Sequence, residues 1–236
     1  IPLIALGIRH ATAGRPLLLA ISFASMIMTH LPLALLTSLF LIAPYAIHLS
    51  RGAPKKMLEI AIALLVGLAL SAIYLAPALL LDQHRDVVRL WAHPALRAEN
   101  WSLWSLTVAG PDIAMRILVS ASLLALIPPI ALLYTSGRRL LAAYAIICSA
   151  LAIGLIPGFW SLPLLAQVQF PFRMIPLAEF AVVTGLAKIS WWRLRPFALI
   201  PASILTISVL VVPISESPFT IDQLARHHFD VPENLV

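Results

Sequence analysis

Ionisable side chains set inside apolar runs are the first residues to examine for chemistry, because a charge in hydrocarbon is costly and is kept for a reason. Arg173 closes the stretch Gln167-Val168-Gln169-Phe170-Pro171-Phe172-Arg173, just past a proline. A guanidinium at that point can grip a phosphate through two parallel hydrogen bonds, or it can snorkel to nearby headgroups. His30 lies in Thr29-His30-Leu31-Pro32. It can bind phosphate or donate a proton, or simply cap broken backbone at an interface. Glu179 follows Arg173 by six residues. At about 100° per residue the two diverge by about 120° on one helix, so Glu179 is expected either to pair with another helix or to be protonated, in a structural rather than a catalytic role. Glu59, four residues after Lys55, reads as a surface ion pair.

The segment 82–112 mixes acids, His84 and His93 with Trp91, Trp101 and Trp104. Such a mixture fits either sugar binding or an interfacial helix with aromatic anchors. Asp82, His84 and Asp86 alternate in a way that superficially suits a divalent metal, yet no clear fourth ligand accompanies them, so the sequence offers no clear ligand set and no cofactor is evident. The chain carries no phosphate-cradling glycine loop and no nucleophile elbow.

The elements that must position these residues follow from composition. Of 236 residues, 61% are hydrophobic and 11% charged, against about 25% charged in a typical soluble domain. The expected fold is all-α, a polytopic transmembrane bundle. The net charge of +6 does not mark a nucleic-acid protein, because Lys and Arg fall in short clusters between apolar runs. Cys148 is alone, which excludes a disulfide framework. The sequence opens at Ile1 without Met or a signal pattern and reads as part of a longer protein.

Pro16–Leu49 contains no Asp, Glu, Lys or Arg. As one helix it would run about 51 Å, too long for one crossing of a ~30 Å core. Pro32 disfavours helix at the residue before it, so the block is expected to be a short hairpin turning at His30-Pro32. Further spans are expected at Met57–Leu81, Ile113–Thr135 (broken at Pro128-Pro129), Leu140–Ile156, Leu164–Ala187 and Phe197–Ile214, giving about seven crossings. Residues 1–214 form the transmembrane domain in this reading and 215–236 an extracytoplasmic tail. Cytoplasmic loops are rich in Lys and Arg. With the hairpin, Arg9, Arg15, Arg51, Lys55, Lys56, Arg138, Arg139, Lys188, Arg193 and Arg195 share the inner side, ten bases with no acid. The outer side, with segment 82–112 and the tail, holds six basic and eight acidic residues.

Three stretches, Met28-Thr29-His30-Leu31-Pro32-Leu33-Ala34-Leu35-Leu36, Ala72-Ile73-Tyr74-Leu75-Ala76-Pro77-Ala78-Leu79-Leu80 and Val168-Gln169-Phe170-Pro171-Phe172-Arg173, together resemble bacterial membrane proteins named "6-pyruvoyl-tetrahydropterin synthase-related". Those are similar in layout to class C (GT-C) glycosyltransferases. The resemblance implies a polyprenyl-phosphate sugar donor used on the outer side of a bacterial inner membrane. It implies that Arg173 holds the donor phosphate, that His30 lines the same cavity, and that Gln169 and Tyr74, in the same stretches, are substrate-binding. It puts the catalytic base upstream of Ile1, with Asp82 and Asp86 as fallback candidates. A transporter or lipid flippase and a non-catalytic assembly subunit are the alternative readings.

Overall fold

The computed structural model describes residues 1–51, 53–81, 98–101, 113–156 and 158–189. Among them the chain is helical, with no strand. The helices are α1 (Pro2–Ala11), α2 (Leu17–Thr29), α3 (Leu31–Thr37), α4 (Ala43–Leu49), α5 (Pro54–Leu70), α6 (Ala72–Leu81), α7 (Ile113–Thr135), α8 (Arg139–Ala152) and α9 (Ile175–Leu186). Proline stands in the first turn of α1, α3, α4, α5 and α9. There its fixed φ suits the helix and its missing N–H is no loss.

Two apolar clusters organise the chain. In the first, Ile4 and Ile8 of α1 meet Leu19 of α2, Ile42 and Ala46 at α4, and Ile60 of α5. In the second, Leu133 of α7, Ala142, Ala145 and Cys148 of α8, and Leu177, Ala178 and Ala181 of α9 pack together. Residues 31–49 form the shared wall, since Leu36 and Leu41 join the second cluster and Ile42 and Ala46 the first. Small residues allow close approach. A Cβ on Gly7 would lie 2.7 Å from Leu19 Cα, and one on Gly67 2.7 Å from the Ala20 carbonyl oxygen.

The expected break at His30 is present, with φ −159° and ψ 82° between α2 and α3. Leu19 precedes it and Ile42 follows it by similar distances, and both belong to one cluster, so the chain folds back there. A π-helical turn, Ser38–Ile42, joins α3 to α4. Pro44 has no N–H to give the Phe40 carbonyl, and the Tyr144 hydroxyl donates to that oxygen instead, at 3.0 Å. This bond ties the shared wall to α8.

Several expectations require correction. The span Met57–Leu81 is not one straight helix. It bends by 58° between residues 70 and 72, where buried Ser71 turns its hydroxyl back onto the Leu68 carbonyl at 2.8 Å. Pro128 and Pro129 do not interrupt α7, which runs through both. Leu164–Ala187 is not a single span. Only Ile175–Leu186 is α-helical, and short 3-10 turns at Ala166–Val168 and Pro171–Met174 precede it. Prolines and an unusual backbone at Gln169 break it. Phe197–Ile214 and the tail lie outside the described residues.

Two helices, Leu31–Leu49 and Leu118–Thr135, are long and apolar enough to cross a membrane, and the bent pair would make a third. The 13 residues of α2 and 14 of α8 reach only about 20 Å each, short of a ~30 Å core. About seven crossings is therefore more than these helices show. The outer surface is apolar: Leu140, Ile73, Leu79 and Leu80 are 87, 77, 73 and 72% exposed. So much exposed aliphatic surface suits lipid rather than water.

Candidate functional site

The break at His30 exposes backbone N–H groups at the start of α3, and the imidazole answers one of them. Nδ1 accepts from the Leu33 N–H at 3.1 Å. That bond fixes the neutral tautomer with its proton on Nε2, so Nε2–H is the group left to donate. On the other side of the break, the Thr29 hydroxyl donates to the Ser25 carbonyl at 2.9 Å.

Arg173 occupies the 3-10 turn just before α9. Three features hold it. Its Nη1 donates to the Val168 carbonyl, and its Cζ lies 4.7 Å from the centre of the Phe170 ring. The Val168 carbonyl also accepts the Phe170 N–H at 2.7 Å, two residues on. The residue spanned is Gln169, at φ 66° and ψ −49°, a γ-turn of the hand that L residues seldom adopt. Val168 is fully buried, so the turn stands on a packed floor. Phe170 and Phe172 stack at 5.3 Å, and the Trp101 ring meets both edge-on at 5.5 and 5.1 Å. The aromatic residues form a shelf beneath the guanidinium.

Arg173 and His30 line one cavity of about 370 Å³ together with Leu33, Ser122, Phe172 and Glu179. Residues of α3, α7 and α9 thus converge on a space that is apolar apart from one cation, one carboxylate, a histidine and a hydroxyl. Glu179 is the one carboxylate, among the described residues, lining it. Arg173 makes no ion pair with any described residue. A guanidinium has five N–H donors, so most remain for a ligand. Partial burial, and then the nearby Arg173 charge, lower the His30 pKa below the usual histidine value. The arrangement is suited to holding an anion.

Two sequence-predicted residues, Arg173 and His30, are therefore brought together. Gln169 does not line the cavity but forms the turn that seats Arg173. Tyr74 lies on α6, 46% exposed, and does not line the cavity either. Asp82, Asp86, His84, Trp91 and Trp104 lie outside the described residues. Sequence reasoning missed Ser122 and set Glu179 apart from Arg173. The angular argument assumed one continuous helix, and the change from 3-10 turn to α-helix at Ile175 removes that premise. Lys55 and Glu59 do not form the expected ion pair.

No family model matches the chain, and neither does any curated protein or solved structure.

Proposed function

We propose that this chain is the membrane part of a GT-C-like glycosyltransferase that uses a polyprenyl-phosphate-linked sugar from the outer side of a bacterial inner membrane. The observation that carries this reading is the Arg173 guanidinium, free of any described carboxylate, seated on Phe170 and facing a largely apolar cavity with His30. A phosphate on a lipid needs that combination: a rigid cation for its oxygens and apolar walls for its tail. In this proposal Arg173 binds the phosphate, the Nε2–H of His30 donates a second hydrogen bond, and Ser122 and Glu179 face the sugar or acceptor.

The orientation is part of the proposal and has independent support. The basic clusters meet at one end of the bundle. Arg138 donates to the Lys188 carbonyl at 3.4 Å, and Arg9, His48 and Leu140, next to Arg139, line one groove. The cavity of Arg173 is at the other end of the 19-residue helix Leu31–Leu49. That helix is about 28 Å long, close to the ~30 Å hydrocarbon thickness. The basic end is therefore read as cytoplasmic and the Arg173 end as external.

The test is donor binding and sugar transfer by Arg173→Ala in the full-length protein. Loss of a charged hydrogen-bonding partner is worth about 1.5–3 kcal/mol, or roughly 10- to 150-fold in affinity. Arg173→Lys keeps the charge but not the fork and is expected to fall between. Unchanged donor affinity and transfer in Arg173→Ala would refute the phosphate role. A transporter or lipid flippase is the second reading, favoured by the 58° break between α5 and α6. Directional uptake into proteoliposomes without sugar transfer would establish it instead.

A further inference from the structure

Between the two apolar clusters, at the basic end, lies a second groove of about 610 Å³. Residues of α1 and α4 form one wall, and residues of α8 and α9 the other. The lining is largely apolar, with Leu6, Leu41, Leu141 and Phe180 facing the groove, and Tyr45 and Thr184 add two hydroxyls. Tyr144 also lines it, but its hydroxyl is engaged by the Phe40 carbonyl at 3.0 Å, so it adds ring surface rather than polarity. Among the described residues, Arg9 is the one formally charged side chain lining the groove; Arg9 and His48, which also lines it, are both exposed. No carboxylate among the described residues lines the groove. Arg51 follows His48 closely in sequence, and Arg139 precedes Leu140, a groove residue 87% exposed.

An apolar slot beneath an unopposed cationic rim has the two-part chemistry of a phospholipid with a net negative head. A water-soluble anion would find little polar surface in the slot beyond the Tyr45 and Thr184 hydroxyls. A zwitterionic lipid would bring its own cation to a rim that offers none of the opposite sign. The volume lies within the roughly 300–1,000 Å³ of ordinary ligand sites. Basic groups beside a membrane surface favour anionic headgroups.

We propose that this groove holds one anionic phospholipid, its acyl chain lodged between the two helical clusters and its phosphate against Arg9 and His48. The proposal rests on the chain residing in a membrane, and not on the glycosyltransferase reading. It gives the basic end a specific occupant, distinct from the ligand of Arg173, and makes that lipid a filler at the seam between the clusters.

Native mass spectrometry of the full chain, purified in detergent with phosphatidylglycerol or phosphatidylcholine, tests this. One phosphatidylglycerol is expected to be retained per chain in preference to phosphatidylcholine. Each basic group near an anionic headgroup contributes about five-fold in affinity, so Arg9→Gln is expected to weaken phosphatidylglycerol retention about five-fold and leave phosphatidylcholine unchanged. Ala5→Trp, which fills the slot from α1, is expected to reduce retention with the rim intact. Size-exclusion profiles and circular dichroism check that both variants stay folded, and Arg9→Gln alone carries the test if Ala5→Trp does not. Equal retention of the two lipids by the wild type, unchanged retention in folded Arg9→Gln, or full displacement by inorganic phosphate would each overturn the site. An alkaline membrane wash separates the premises: release of the chain from membranes defeats the membrane reading itself, whereas a firmly held chain with no lipid preference defeats only the groove.

Discussion

Adding one methyl group at Gly67 tests the packing that holds the first cluster together. Alanine favours an α-helix interior over glycine by about 0.8–1 kcal/mol, so Gly67→Ala would stabilise α5 taken alone. The new Cβ, however, would lie 2.7 Å from the Ala20 carbonyl oxygen and 3.2 Å from the Phe23 ring. A ring can turn aside, but a backbone carbonyl of α2 moves only if the helix moves. Overpacking of this kind costs about 1–3 kcal/mol, and small residues at membrane helix contacts serve the same close approach. The clash is expected to outweigh the propensity gain, leaving Gly67→Ala roughly 1–2 kcal/mol less stable. Gly185→Ala is the internal control. The atoms nearest its Cβ belong to the Leu133 side chain, whose flexible end can shift, so a smaller change is expected. The assay is resistance to unfolding in mixed micelles, by denaturant titration or thermal melting of each variant beside the wild type. A Gly67→Ala protein as stable as the wild type, or more so, would refute the close contact of α2 and α5.

Other outcomes follow from the same structure. Tyr144→Phe leaves the Phe40 carbonyl without its donor and is expected to destabilise the chain by about 1–3 kcal/mol, read by the same unfolding assay. His30 is harder to protonate in the folded chain than in the unfolded one, so the unfolded state holds more protons near the usual histidine pKa and stability rises with pH. His30 therefore contributes stability above that value and loses it as pH falls through the folded value. Unfolding titrations at about pH 7.5 and about pH 5 are expected to show the loss, and His30→Asn, which keeps a capping acceptor, to flatten it. Under the proposed orientation, a cysteine at Ala53 is expected to react with an impermeant reagent only from the cytoplasmic side, and labelling from outside alone would overturn that proposal. Glu179→Gln is expected to lower transfer turnover more than donor affinity if the carboxylate faces the acceptor, which a split of kcat from KM measures.

The candidate site was partly legible because its two ends carry local signals. Thr29-His30-Leu31-Pro32 announces a helix break, since Pro32 restrains the residue before it, and the imidazole takes up the Leu33 N–H there. Arg173 stood out as a cation among apolar residues. Ser122 was not legible, because its neighbours on α7 are ordinary span residues and only the packing of α7 beside α9 brings it to the cavity. Glu179 was read as a poor partner for Arg173, and the two form no ion pair, but one helical period carried across a stretch where the backbone changes type hid that both line one cavity.

By itself, the sequence determined an all-helical chain of lipid-like exterior, the reversal at His30, and the sorting of Lys and Arg away from the acids. Each follows from composition, from proline chemistry or from charge count, none of which needs a neighbour. Only the tertiary structure decided where helices end short of a full crossing. It also decided how Ser71 bends α5 into α6, and how Tyr144 replaces the donor that Pro44 lacks. The setting of Arg173 belongs to that second group. A γ-turn at Gln169, a buried Val168 and an aromatic shelf hold the guanidinium. These depend on contacts among segments far apart in sequence, which local pattern does not encode.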